Sequence, residues 1–158
     1  MIAHVHAPDF QPESDIPATL SKFWVTDILK NKIGYKGIII TDGMGMGGVT
    51  KNYADDYAII EAVKAGCDVI IQNYDIVGSI NAIEDAVKNN EISIEQINSS
   101  ALKMLKMKEN AGLHLNPFVD LDFMMQTIGI KEHREASDRI STEAITLVKD
   151  EKSLLPLD

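Results

Sequence analysis

Asp42 directly follows the apolar run Ile38-Ile39-Ile40-Thr41, so its carboxylate is expected to emerge at the C-terminal edge of a sheet. A carboxylate so placed can attack a sugar's anomeric carbon, ligate a metal or act as a general base. The same position also suits an Asp that caps the following loop through backbone N–H groups. Gly43-Met44-Gly45-Met46-Gly47-Gly48 comes next and invites comparison with a phosphate-binding loop. It does not match G-x-x-x-x-G-K-[ST], and no distinctive acid stands about 20 residues beyond a G-x-G-x-x-G. The two methionines suggest a soft apolar wall beside the carboxylate, while a plain flexible connection explains the glycines equally well. His4 and His6 have strand spacing, so both rings can face one way. Two histidines without a third clear ligand make a poor zinc site. His4 is better suited to donate a hydrogen bond to a ligand hydroxyl, or to sit satisfied in the core. Asp9, Glu13 and Asp15 read as solvated loop charges. Cys67, between Gly66 and Asp68 at a strand entrance, reads as a small buried hydrophobe on the side away from the expected active face.

These side chains need strands and helices to place them. Three segments have the continuous apolar character of strands covered on both faces: 2–5, 37–41 and 68–71. A helix is expected over 22–33, capped by Ser21, with Trp24, Val25, Ile28, Leu29 and Ile33 inward and Gly34 as the left-handed stop. A second spans 53–65, burying Ala58, Ile59, Ala62 and Val63 and stopping at Gly66. Ile76, Ile80, Ile83 and Val87 define the inward face of a third. Ser93-Ile94-Glu95-Gln96 forms a capping box that opens a fourth, through Lys108. Residues 113–130 read as a loop around Asn116-Pro117, followed by an amphipathic helix over 132–149. The order β-α-β-α-β-α-α implies parallel pairing through crossover connections. In a (β/α)8 barrel the reactive groups stand at the C-terminal strand ends. That selects His4 and His6, then 41–48, then 72–75.

Composition narrows the function. The chain has 158 residues, with 24 acidic against 15 basic side chains and a formal net charge of −9. Acidity of that size argues against a reader of nucleic-acid phosphates. A 45% hydrophobic content argues against disorder, and no apolar run approaches the roughly 20 residues of a membrane helix. The one cysteine rules out an intramolecular disulfide.

Taken in order, several segments resemble glycoside hydrolase family 3, especially its β-N-acetylhexosaminidase branch. They are Met1-Ile2-Ala3-His4-Val5, Pro17-Ala18-Thr19-Leu20-Ser21, Gly34-Tyr35-Lys36-Gly37 and Ile38-Ile39-Ile40-Thr41-Asp42-Gly43-Met44-Gly45-Met46. Ala65-Gly66-Cys67-Asp68-Val69-Ile70-Ile71 and Ala111-Gly112-Leu113 with Asn116-Pro117-Phe118 complete the match over most of 1–118. Ala144-Ile145-Thr146-Leu147-Val148 and Leu154-Leu155-Pro156-Leu157 resemble the lead-in to that family's second domain.

The resemblance implies a partial (β/α)8 barrel of about three parallel strands with helices. Residues 1–118 would be the C-terminal portion of the barrel, and 119–158 a linker and helix leading toward a further α/β domain. It implies that Asp42 is the nucleophile of a retaining hydrolysis, that His4 contacts the sugar and that Met46 lines its subsite. A carbohydrate is the implied partner, with no nucleic acid, membrane, metal or organic cofactor. In the hexosaminidase branch the acid/base is a His–Asp pair carried by Lys-His-Phe-Pro-Gly-His-Gly, a motif that does not occur in the 158 residues. The chain is therefore expected to behave as a fragment with negligible activity alone and to self-associate through an open barrel edge. A β-glucosidase of the same family stays open as an alternative. So do a phosphate-binding barrel enzyme using 43–48 and a non-catalytic half-barrel.

Overall fold

A computed structural model of the chain describes residues 1–11, 15–71, 75–152 and 155. It divides into two compact units, Met1–His114 and Leu115–Asp158. The first is an α/β fold. Strand β1 (Ile40–Gly43) pairs in parallel with strand β2 (Val69–Ile71). Parallel neighbours need a crossover, here a short helix α1 (Gly47–Thr50) and helix α2 (Asp55–Ala65). Helix α3 (Ile76–Lys88) and helix α4 (Ile94–Asn110) follow β2.

Local chemistry explains where these helices start and stop. The Asp75 carboxylate accepts from Gly78 N–H at 2.8 Å and opens α3. The Ser93 hydroxyl accepts from Gln96 N–H at 3.1 Å and opens α4. Only half of the expected capping box forms, because the Gln96 side-chain amide donates instead to the Val63 carbonyl of α2. Gly66 ends α2 at φ 112°, and a Cβ there would lie 2.6 Å from the Thr26 hydroxyl oxygen. Glycine is required on both counts.

Three apolar clusters surround the two strands. Leu20, Met44, Val49, Ala58 and Ala62 form one; Val25, Ile39, Ala65 and Cys67 another; Val63, Ala86 and Ile92 the third. Ile70 of β2 packs against all three, which joins them into one core. The base of this core is fixed by a buried carboxylate. The Asp68 side chain is 3% exposed and accepts from Ile39 N–H, the Ser100 hydroxyl and both of its close contacts with Lys103 Nζ, at 2.8 and 2.9 Å.

Several expectations change. The segment 2–5 forms no strand: a single parallel bridge, Ile2 to Thr41, replaces it, with Ile2 N–H donating to Ile40 O and Asp42 N–H to Ile2 O. The middle strand begins later than residue 37 and extends to Gly43, so Asp42 lies within it. The helix after Ser21 is a π-helix over Phe23–Lys32, closed by Ile33 N–H to Ile28 O. Bonding five residues apart widens the turn, so a face spaced for an α-helix drifts away from the core and Ile33 ends exposed. In α3, Ile76 and Ile80 are not inward but 60% and 59% exposed. They border an open groove of about 360 Å³ whose walls include Ile59, Ile70, Ile97 and Met104.

In the second unit, the expected loop contains helix α5 (Leu121–Thr127), opened by Asp120 accepting from Phe123 N–H at 3.0 Å. It is too short to show a sustained period in sequence. Asn116 Oδ1 accepts from Phe118 N–H, which makes Asn116-Pro117 a turn. Helix α6 (Lys131–Glu143) ends before the expected 149. Of the expected lead-in at 154–157, all but Leu155 lies outside the described residues. Among the described residues no helix is long and apolar enough to cross a membrane.

Burial alone would raise the Asp68 carboxyl, but Lys103, Ile39 N–H and Ser100 outweigh it and hold it below the ordinary carboxylate range. A lowered folded-state value means the stabilisation is complete above about pH 4, the unfolded value, and is lost as pH falls through the folded one. Lys103→Met leaves that carboxylate buried without its cation. It should cost about 3 kcal/mol in urea unfolding at pH 7, and less at pH 3. Equal losses at the two pH values would contradict the assignment.

Candidate active site

The pairing of the two strands is irregular at one place. Ile40 aligns with Val69 and Gly43 with Ile71, so β1 carries an extra residue in the interval that holds Thr41 and Asp42. Such a bulge bends the strand and re-aims a side chain. The Thr41 hydroxyl takes up the slack. Fully buried, it accepts from Ile71 N–H at 3.0 Å, while Met44 N–H donates to Ile71 O at 2.9 Å.

Asp42 is half-buried at this bulge. One carboxylate oxygen, Oδ1, accepts from Gly43 N–H at 2.8 Å. Among the described residues the other oxygen has no hydrogen-bond partner. The carboxylate is thus anchored at one oxygen and open at the second. The Gly43 carbonyl accepts from Met46 N–H at 3.0 Å, which folds the glycine-rich segment back on itself before α1. Met44 goes into the core and Met46 stays 49% exposed. Only Met46 of the two is free to form the apolar wall expected from the sequence.

His4 and His6 separate. His4 places Nδ1 2.9 Å from the Thr19 hydroxyl and Nε2 3.0 Å from the Gly43 carbonyl. His6 Nδ1 lies 3.6 Å from the Asp15 carboxylate, which is solvated as expected. Among the described residues, no group of three or more His, Cys, Asp or Glu could hold a metal ion. Of the expected strand-end positions, 72–74, and likewise Glu13, lie outside the described residues.

Cys67 is buried, with Sγ 3.8 Å from the Thr19 carbonyl. Burial pushes its thiol up to about 12. Sequence reasoning did not single out Thr19, and reached Thr41 only as one of 41–48; both hydroxyls are fully buried. A hydroxyl closing or interrupting an apolar segment is the signal that could have found them.

The family described as Glycosyl hydrolase family 3 N terminal domain matches residues 1–107. The chain belongs to glycoside hydrolase family 3. Beta-hexosaminidase A of Pseudoalteromonas piscicida is 29% identical over 175 residues, covering 99% of this chain and 29% of that protein. The structure of a family 3 β-N-acetylglucosaminidase from Paenibacillus sp. str. FPU-7 superposes with a TM-score of 0.69 at 29% identity, over 88% of this chain and 27% of that one. The beta-glucoside phosphorylase BglX superposes with a TM-score of 0.77 at 28% identity, over 100% of this chain and 30% of that one. The family 3 chain therefore spans under a third of the length of these relatives.

Two outcomes test the site's packing. Thr41→Val strands the Ile71 N–H and should cost about 1–3 kcal/mol in chemical denaturation, whereas Thr41→Ser should recover most of it. Cys67, a thiol at neutral pH and shielded from solvent, should resist iodoacetamide in the native protein and react on unfolding. Alkylation at equal rates in both states would place it at the surface.

Proposed function

We propose that this family 3 chain carries the nucleophile side of a retaining β-N-acetylhexosaminidase, on the last part of a (β/α)8 barrel. The observation that supports this most is the Asp42 carboxylate, set on a bulge at the C-terminal end of a parallel strand, with Oδ1 held by Gly43 N–H and the second oxygen open. Ionised Asp42 attacks the anomeric carbon as the glycosidic bond breaks, forming a covalent glycosyl-enzyme. Water then attacks that carbon and frees the carboxylate. Exposed Met46 lines the sugar subsite. Residues 1–118 belong to the barrel and 119–158 lead out of it. The acid/base is supplied from outside these residues, so the chain alone turns over substrate negligibly. General acid–base assistance contributes about 10²–10⁴-fold, and its loss is felt most with poor leaving groups.

A glucoside-acting family 3 enzyme is the second reading. It is favoured by the name of one relative, the beta-N-acetylglucosaminidase/beta-glucosidase of Cellulomonas fimi, 21% identical over 99% of this chain. Among the described residues no contact separates an N-acetyl group from a hydroxyl, so sugar choice is an outcome of the experiment.

A fluoride leaving group needs little protonation, so a 5-fluoro-N-acetylglucosaminyl fluoride tests the nucleophile without the acid. Incubated with the chain, it should add one glycosyl unit to the Asp42 peptide by mass spectrometry and none in Asp42→Asn, while a 4-nitrophenyl N-acetylglucosaminide is not turned over. Faster labelling by the glucosyl fluoride would select the second reading. A label on another residue, no label at all, or the same label in Asp42→Asn would overturn the nucleophile assignment.

A further inference from the structure

We infer that His4 is a positioning residue for Asp42, acting through the Gly43 carbonyl, and does not contact the sugar. The inference rests on the proposed role of Asp42. Both ring nitrogens of His4 are within hydrogen-bond distance of protein atoms: Nδ1 to the Thr19 hydroxyl at 2.9 Å and Nε2 to Gly43 O at 3.0 Å. A carbonyl can only accept, so Nε2 carries a proton and donates it. The ring is thereby turned toward the strand, and a sugar hydroxyl could claim that donor only by breaking the bond to Gly43.

The ring is held at its other side too. Thr19 is fully buried and its hydroxyl also lies 2.9 Å from Ala3 O and 3.3 Å from Ile2 O, which fixes the oxygen against the backbone that carries His4. On the third side Gly48 presents no side chain; a Cβ there would lie 3.1 Å from His4 Cβ and 3.4 Å from its carbonyl oxygen. Glycine at 48 lets the loop close onto the histidine.

What the ring holds is the peptide unit next to the nucleophile. Gly43 N–H binds Asp42 Oδ1, while Gly43 O takes His4 Nε2 and Met46 N–H. Glycine is the residue with the widest backbone freedom, and it stands beside an irregular strand pairing. Without the imidazole its carbonyl loses the donor that comes from outside its own loop. Its N–H, and with it the carboxylate, is then held less firmly, with Met46 N–H as the remaining donor to the carbonyl. Misplacement of a reacting group by about 1 Å can cost 10²-fold in rate.

The test compares His4→Phe, which keeps ring volume and loses both nitrogens, with His4→Gln, which keeps an N–H donor near the position of Nε2. In the full chain, labelling of Asp42 by 5-fluoro-N-acetylglucosaminyl fluoride gives a half-saturation concentration and a maximal rate. His4→Phe should lower the maximal rate about 10²-fold and leave half-saturation unchanged, and His4→Gln should regain most of the loss. A rise in half-saturation with the maximal rate intact would mean that His4 contacts the sugar and would overturn the inference. So would His4→Gln failing as His4→Phe does. A scalar coupling across the hydrogen bond from His4 Nε2 to the Gly43 carbonyl carbon in the wild-type chain is a second readout, independent of the label. It should be present, and its absence overturns the positioning role even if His4→Phe does not fold. If Asp42 never labels but the coupling is seen, the nucleophile assignment has failed and the His4 geometry has not.

Discussion

The geometry of the first unit depends on one buried carboxylate. Asp68 sits at the entrance of β2, where removal from water would drive it to the neutral acid unless each lone pair had a donor. The donors come from segments far apart in sequence: Ile39 N–H at the entrance of β1, and Ser100 and Lys103 on α4. Asp68 N–H in turn donates to Ile39 O at 2.7 Å. The two strands must therefore start level, and α4 must lie against their base. A shift of one residue in either strand would separate the carboxylate from its partners.

A register fixed at the base decides what happens at the top. With Ile40 opposite Val69, β1 reaches Gly43 with one residue more than β2 has to match it. Thr41 absorbs that excess by lending its hydroxyl to Ile71 N–H. Individual hydrogen bonds contribute only about 1 kcal/mol net, but a buried donor without a partner costs 1–3 kcal/mol. The bulge is thus stable because its broken ladder bond is replaced, and Asp42 is delivered at the turn of the strand. Thr19, His4 and Gly43 continue the same logic, satisfying buried polar groups through side chains where the backbone ladder gives out.

Elsewhere the packing is more open. Ile70 joins three apolar clusters, yet Ile76 and Ile80 of α3 remain more than half exposed beside an open groove. Their spacing is that of a helix face which packs, and the chain spans under a third of the length of its family 3 relatives. Burial is a property of an element and its neighbour together. Periodicity reveals which side of a helix is apolar but not whether anything covers it.

Much of this protein was legible in the sequence where the cause is local. Gly34 and Gly66 stop helices because only glycine takes a positive φ without strain, and Ser93 opens α4 because its hydroxyl reaches the third N–H. The motif order from Ile2 to Ile71 identified the family, and the position of Asp42 after an apolar run marked the strand end. Where causes lie across the fold, the sequence was mute or misleading. The first strand shrank to one bridge, and the helix after Ser21 widened to a π-helix. His4 shows the difference best. Its place near a strand end made it a candidate ligand for a sugar, because sequence records residue type and spacing. Which atoms its two nitrogens meet is set by Thr19 and Gly43, 15 and 39 residues away, and only tertiary contact brings them within 3 Å.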